Sequence, residues 1–442
     1  MMKRNVCLFI AFIIFQCWVS FVSADPVNIK PVNDIPESLT LQQAIDFALK
    51  NNTDVKTQEE AIRIARAQYI QKRSSILPQV NLTVESEHLN NAGATVSDGN
   101  TGNEIFSMME VSQPVFSFGK LSQGIAIYQY AIQIQELKLE ESKQSVIYQI
   151  ASAFYDILLQ EELVKVNEDA LKTAEEHLQV AQLRFEQGIN TQFDVTRAKV
   201  DIANRRPDLI SARNELLKAR QSLNQILNLP SNTVIKIDGK LNYLEYNPDS
   251  QKAWNIALEN RPGLKSQKLT IQQNETNFHL RKALYTPNIY VGGDYTLVHS
   301  KFQGHDSFDS QSWTGYVKLT MPIFDGLNIS GQIKEAKAAL EQAKLSYEKT
   351  LLSAQTEVEQ TILEIKKQKE LVDATKEAID LAQLSLSMAQ LSYENGKATT
   401  LDVTDAELSL TTARSNWAKA IHDYLVALAT LKKALGVNEL SS

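Results

Sequence analysis

The sequence predicts a mainly α-helical chain with a membrane β-barrel part, built from a duplicated helix–strand–strand–long helix–helix unit. Three observations predict it. Apolar residues recur every seventh position at Ile150, Ile157, Val164, Leu171, Leu178 and Phe185, and 208 residues later at Val358, Ile365, Val372, Ile379, Leu386 and Tyr393. That is a long heptad helix present twice. Other landmarks return at nearly the same offset: Leu77-Pro78-Gln79 as Thr286-Pro287-Asn288, Gln113-Pro114-Val115-Phe116 as Met321-Pro322-Ile323-Phe324, and Phe185-Glu186-Gln187-Gly188 as Tyr393-Glu394-Asn395-Gly396. Ahead of each long helix the apolar period changes from 3.6 to 2, in runs of about ten residues, long enough to cross a bilayer as strands. The two units occupy 25–230 and 251–437, with 231–250 as a linker and 438–442 as a short tail.

Residues 1–24 read as a signal peptide: Lys3 and Arg4 are the basic start, Val6 to Val22 the apolar stretch, and Val22-Ser23-Ala24 a small-residue cleavage site. A signal anchor is the alternative, but Pro26 and polar residues follow at once. Cys17 follows the bulky Phe15-Gln16 and lacks the small residues of an acylation site. Cleavage removes Cys7 and Cys17, and with them any disulfide, and takes the net charge from −7 to about −9. Such an acidic exported chain has no electrostatic case for nucleic acid.

In the first unit Thr40 is a helix N-cap, and the helix runs to about Ser74, where Pro78 stops it. Val80, Leu82 and Val84 then alternate with Asn81, Thr83 and Glu85 as a strand. A polar loop spans Asn90 to Asn103, and a second strand runs from about Ile105 to Phe116. The long helix covers Phe118 to about Glu186 and closes on Gly188. After a turn at Asn190-Thr191-Gln192, a helix from Asp194 to about Leu227 contains Pro207, which removes a hydrogen bond and predicts a local kink. The second unit copies the order: a helix from about Gln251 to Tyr285, strands Pro287–His299 and Trp313–Phe324, a long helix Leu327–Glu394 and a last helix Asp402–Leu435. Ile235-Lys236-Ile237 is a candidate short strand in the linker.

At 1.5 Å per residue a helix of about 68 residues extends roughly 100 Å. The flanking helices are half as long, so two end to end match one long helix in a four-ply antiparallel layer. Strands lie at one end and the Gly188 and Gly396 turns at the other. Four strands cannot close a barrel alone, and an open edge in lipid is prohibitive. Several chains share one barrel, as a dimer of eight strands or a trimer of twelve.

On these elements, in this order and with duplicate spacing, the chain from about Ser38 to Gly436 resembles the TolC family of outer-membrane efflux proteins. The resemblance implies a homotrimer with a shared 12-stranded barrel in outer-membrane lipid and a 12-helix periplasmic tunnel. It implies a passive exit duct for efflux or type I secretion in a Gram-negative-type envelope, served by a periplasmic adaptor and an inner-membrane pump. It also assigns a periplasmic aperture, with Tyr393 as the constricting tyrosine, Asp402 and Asp405 as a cation ring, and Asp194 as the corresponding acid of the first repeat. The turns at Gly188 and Gly396 would face the adaptor. Physically, Asp402 and Asp405 lie three apart on one helix face, so a trimer gathers six carboxylates around one axis. They also read as first-turn acids favoured by the helix dipole. The family's basic residue after the turn glycine is missing, with Ala398 in its place and Lys397 or Arg197 as candidate substitutes.

No catalytic constellation appears. The six histidines show no metal spacing, with His299 and His305 flanking the second loop at the surface, and there is no phosphate loop or nucleophile elbow. No enzyme activity, metal or cofactor is expected. Trp313, Tyr316, Tyr290 and Tyr295 fit either a membrane-interface belt or plain barrel packing. The main alternative is an exported coiled-coil scaffold or stalk without transport activity, for which four amphipathic strands have no use.

Overall fold

Two helices of 67 residues form the frame, α3 (Lys120–Glu186) and α7 (Asn328–Glu394), 208 positions apart. In this computed structural model residues 38–90, 101–302 and 306–438 are described. The signal peptide with Cys7 and Cys17, most of the first strand–strand loop, His305 and the tail beyond 438 lie outside those residues. Ahead of α3 come β1 (Ser38–Leu39), α1 (Leu41–Asn51), α2 (Thr53–Ser74), β2 (Gln79–Asn90) and β3 (Thr101–Phe116). After it come α4 (Gln192–Ile226), β4 (Lys236–Ile237), α5 (Ser250–Asn260), α6 (Pro262–Ala283), β5 (Asn288–Phe302) and β6 (Phe308–Thr320). Beyond α7 the last helix is α8 (Thr400–Leu435).

Each opening helix is broken where one was expected. Asn52 is extended and serves both neighbours. Its side chain accepts from the Asp54 amide at 2.8 Å to cap α2, and its Nδ2 donates to the Ile226 carbonyl at 2.9 Å. In the second unit Arg261 is forced out of the helical region by Pro262, which then sits at the first position of α6. The short strand in the linker pairs in parallel with the start of the chain, Ser38 with Lys236 and Leu39 with Ile237. Thr40 caps α1 through a capping box with Gln43. Pro207 lies inside α4, which continues through it. β6 ends at Thr320, short of the expected Phe324, because Pro322 has no N–H for a ladder.

The long helices collect the shorter ones as the lengths required. α3 packs against α2 and α4 on its own unit and against α6 and α8 of the other, and α7 packs against α6 and α8. Ile150, Ile157, Val358, Ile365 and Val372 are all buried, so the heptad stripe is the seam of this layer. The linker is pinned to it by Tyr424, whose hydroxyl donates to the Leu244 carbonyl and accepts from the Tyr246 amide, both at 2.9 Å.

The strands form one antiparallel sheet in the order β2-β3-β5-β6. Register places Leu82 beside Met109, Met109 beside Tyr295 and Tyr295 beside Trp313. It also aligns Val80 with Val111 and Val291 with Val317. One face is thus largely apolar and exposed in the single chain, interrupted by Ser107, Gln113 and Gln311. The opposite face carries Asn81, Glu110, Asp294 and Thr314 side by side, with the Tyr316 hydroxyl donating to Glu110 at 3.0 Å. Trp313 and Tyr295 lie on the apolar face, Tyr290 and Tyr316 on the polar one. β2 and β6 are unpaired on their outer sides among the described residues. No described helix is long and apolar enough to cross a membrane.

Candidate functional site

The two helix turns at the far end of the layer share one local construction. α3 ends with Gly188 at φ 75°, where the Ile189 amide reaches the Arg184 carbonyl at 2.8 Å. α7 ends with Gly396 at φ 72°, where the Lys397 amide reaches the Ser392 carbonyl at 2.8 Å. Both are left-handed turns that favour glycine, and nothing lies within 4 Å of where a Cβ would stand. The next helix opens in both units with a threonine–aspartate capping box. Asp194 Oδ2 accepts from the Thr191 amide at 2.8 Å and hydroxyl at 2.7 Å. Asp402 Oδ2 accepts from the Thr399 amide and hydroxyl, both at 2.7 Å. These bonds hold both carboxyls below their ordinary value. Asp405, one turn further along α8, is exposed.

Tyr393 sits differently from its repeat partner. Phe185 is 41 % exposed, whereas Tyr393 is only 6 % exposed and packs with Leu386, Val403, Ala406 and Leu410. It is held from the first unit. Asn190 Nδ2 donates to its hydroxyl at 2.7 Å, and the Arg184 guanidinium lies 4.7 Å from its ring centre. Arg184 also donates to the Tyr393 carbonyl at 2.6 Å and the Glu394 carbonyl at 3.0 Å. The His177 ring is 5.3 Å from that of Tyr393. The structure therefore brings Tyr393 together with residues the sequence reading did not single out. Neither Lys397 nor Arg197 makes this clamp, and Ala398 packs against the same apolar cluster.

A signal for Arg184 was present. α7 has no basic residue in its last turn, while α3 has Arg184 there. The exposed carbonyls at the C-terminus of α7 carry negative partial charge, and a cation from the adjacent helix end answers it. Asn190 had no comparable signal, since only the tertiary arrangement puts its amide on a hydroxyl 203 residues away.

A four-stranded sheet with one largely apolar face, continued by helices of about 100 Å, suits a channel-forming outer-membrane protein. The family of outer membrane efflux proteins matches residues 44–229 and 253–437, and the chain belongs to that family. It is 23% identical over 400 residues to the outer membrane efflux protein BepC of Brucella suis biovar 1, covering 90% of this chain and 86% of BepC. It is 24% identical over 422 residues to the outer membrane protein TolC of Salmonella enteritidis, covering 93% of this chain and 84% of TolC. The open-state crystal structure of the Neisseria gonorrhoeae MtrE outer membrane channel superposes with a TM-score of 0.77 at 22% identity, covering 90% of this chain and 89% of MtrE. The protein is an outer-membrane exit duct that extends into the periplasm, and not an enzyme.

Proposed function

We propose that this duct works as a homotrimer, closed at its periplasmic tip by a latch between the two repeats and opened when a periplasmic adaptor and an inner-membrane pump engage it. The observation that carries the proposal is the Tyr393 clamp. Arg184 and Asn190 tie the turn of α7–α8 to that of α3–α4, so the tip widens only if those bonds break. The trimer follows from the unpaired edges of β2 and β6, which another copy must cover in lipid. Three copies give twelve strands and place Asp402 and Asp405 as a ring of six carboxylates. Asp402 and Asp194 also serve as helix caps, which leaves Asp405 as the acid freest to attract cations at the aperture. The division into repeats 25–230 and 251–437 around the linker 231–250 is part of this reading.

The turns at Gly188 and Gly396 are the proposed adaptor-facing surface. Val180, Leu183, Phe193 and Val200 are exposed near the first turn, and Met388, Leu391, Leu401 and Leu408 occupy the same positions near the second. Apolar side chains exposed at matching places in both repeats suit a helical partner that grips each hairpin in the same way. Deleting the gene should raise susceptibility to many unrelated toxic compounds, or abolish export of a secreted protein, with recovery from the intact gene. A normal profile in both assays would sink the duct reading. A particle of one chain in detergent would sink the trimer.

A further inference from the structure

Behind the tip, a charged cluster is buried between the repeats. Arg205 of α4 donates from Nε to Asp201 Oδ2 at 2.8 Å and from Nη2 to Glu407 Oε2 of α8 at 3.2 Å. The Glu407 side chain is 4 % exposed, and its other oxygen, Oε1, is buried without a hydrogen-bond partner. A cavity of about 30 Å³ adjoins the pair, lined by Asp169 and Thr173 of α3, Arg205, Leu386 of α7, and Glu407 and Arg414 of α8. α4 and α8 meet at few other places, so the Arg205–Glu407 hydrogen bond, which a neutral carboxyl can also accept, is a main bridge between them. Through Asp201 and Arg205 it faces His177, whose ring packs on Tyr393.

We propose that Glu407 and Arg205 form a pH-sensitive latch, in which a protonated Glu407 favours the closed tip and an ionised Glu407 favours an opened one. The inference rests on the tip being the gate. A carboxylate that is buried, half unpartnered and beside a second carboxylate is disfavoured as an anion. Burial is the main cause that raises the Glu407 carboxyl, to about 7; Arg205 opposes the rise and Asp201 adds to it. Once the tip loosens and water reaches it, the group returns toward its ordinary value of 4.5. The closed state therefore binds the proton more tightly. Linkage gives a shift of about tenfold per chain, toward open, as the pH rises from 6 to 8. The other groups facing the site are Asp169 and His177 from α3, Asp201 and Arg205 from α4, and Arg414 on α8. Burial lowers the His177 value from its ordinary 6.5, with Asp201 opposing the shift and Arg205 adding to it.

The test compares the full-length protein with Glu407→Gln in planar bilayers at pH 6 and pH 8, together with thermal unfolding. His422 titrates elsewhere in the molecule, so the readout is the difference between the two proteins. The expected result is an open fraction that rises in the wild type and loses its roughly tenfold component in Glu407→Gln. The unfolding midpoint of the variant should also gain on that of the wild type from pH 6 to pH 8. Equal pH responses in both assays overturn the proposal. A widening midpoint gap with no change in open fraction also overturns it, and places the fault in the gate reading rather than in the buried carboxyl. If Glu407→Gln does not fold, infrared spectra of the wild type decide. A protonated-carboxyl band at pH 6 that fades by pH 8 is required, and its absence refutes the latch.

Discussion

Arg184→Ala should loosen the tip. The guanidinium makes two hydrogen bonds to the last carbonyls of α7, at 2.6 and 3.0 Å, and lies over the Tyr393 ring at 4.7 Å. Arg184 is only half-buried, so each hydrogen bond is taken at about 1 kcal/mol, below the usual range for a charged donor. The ring contact adds about 0.5–1 kcal/mol. The loss is then about 2.5–3 kcal/mol per chain, equivalent to about a 70- to 160-fold shift toward the open tip. Arg184→Lys keeps a positive charge for both helix ends, but one ammonium cannot fork onto two carbonyls, so its effect should lie between wild type and alanine. Single-channel recordings of the three proteins measure the open fraction, and entry of a large hydrophilic antibiotic reports leakage in cells. Alanine behaving like wild type would refute the latch. Lysine matching arginine would show that charge alone holds the turn and that the fork is irrelevant.

Three further outcomes follow from the same geometry. Asp405→Asn should weaken cation preference and cation block in bilayer recordings without changing the mass of the assembled particle, whereas Asp402→Ala also removes one half of the Thr399 capping box and should lower the thermal unfolding midpoint as well. Tyr424→Phe leaves the Leu244 carbonyl and Tyr246 amide without their partner, and should destabilise the protein by about 1–3 kcal/mol in denaturant titration. His422 is clasped by Asp156 at 2.7 Å and Asp423 at 2.9 Å, and these carboxylates outweigh burial to raise its value above 6.5. Its stabilisation is therefore full below pH 6.5 and lost as the pH rises through the raised folded value. His422→Gln should cost about 1–2 kcal/mol at pH 6 and progressively less in alkali, and a gap that widens with pH would contradict this.

Periodicity made much of the fold legible. The heptad seam from Ile150 and from Val358, the alternation of Val80, Leu82 and Val84, and the turn glycines each declare a local geometry in a few residues. The breaks at Asn52 and Arg261 were harder, because the apolar pattern continues on both sides of each. Asn51-Asn52-Thr53-Asp54 and Arg261-Pro262 were the available signals, and they compete with strongly helical neighbours. The pairing of Ser38-Leu39 with Lys236-Ile237 was out of reach, since two residues carry no period. At the tip, the capping roles of Asp194 and Asp402 were legible from the Thr-x-x-Asp spacing. The burial of Tyr393 was not, because its heptad counterpart Phe185 is exposed.

That contrast between Phe185 and Tyr393 shows how duplication and function divide the chain. Residues that build each hairpin recur 208 positions apart: Gly188 with Gly396, Thr191 with Thr399, Asp194 with Asp402. Residues that clamp one repeat to the other do not. Arg184 corresponds to Ser392, Asn190 to Ala398, His177 to Ser385, Asp201 to Ser409, Arg205 to Ala413, and Glu407 to Lys199. Identical repeats in the proposed trimer would form six equivalent interfaces, and each would have to loosen alike for the tip to widen. Because each clamp residue lacks its counterpart in the other repeat, the contact within a chain is chemically different from the contact between chains. One class of interface can then hold the closed state while the other stays a plain helical seam. On the proposed gate, local unlatching at three places, rather than rearrangement of the whole tunnel, would open the duct.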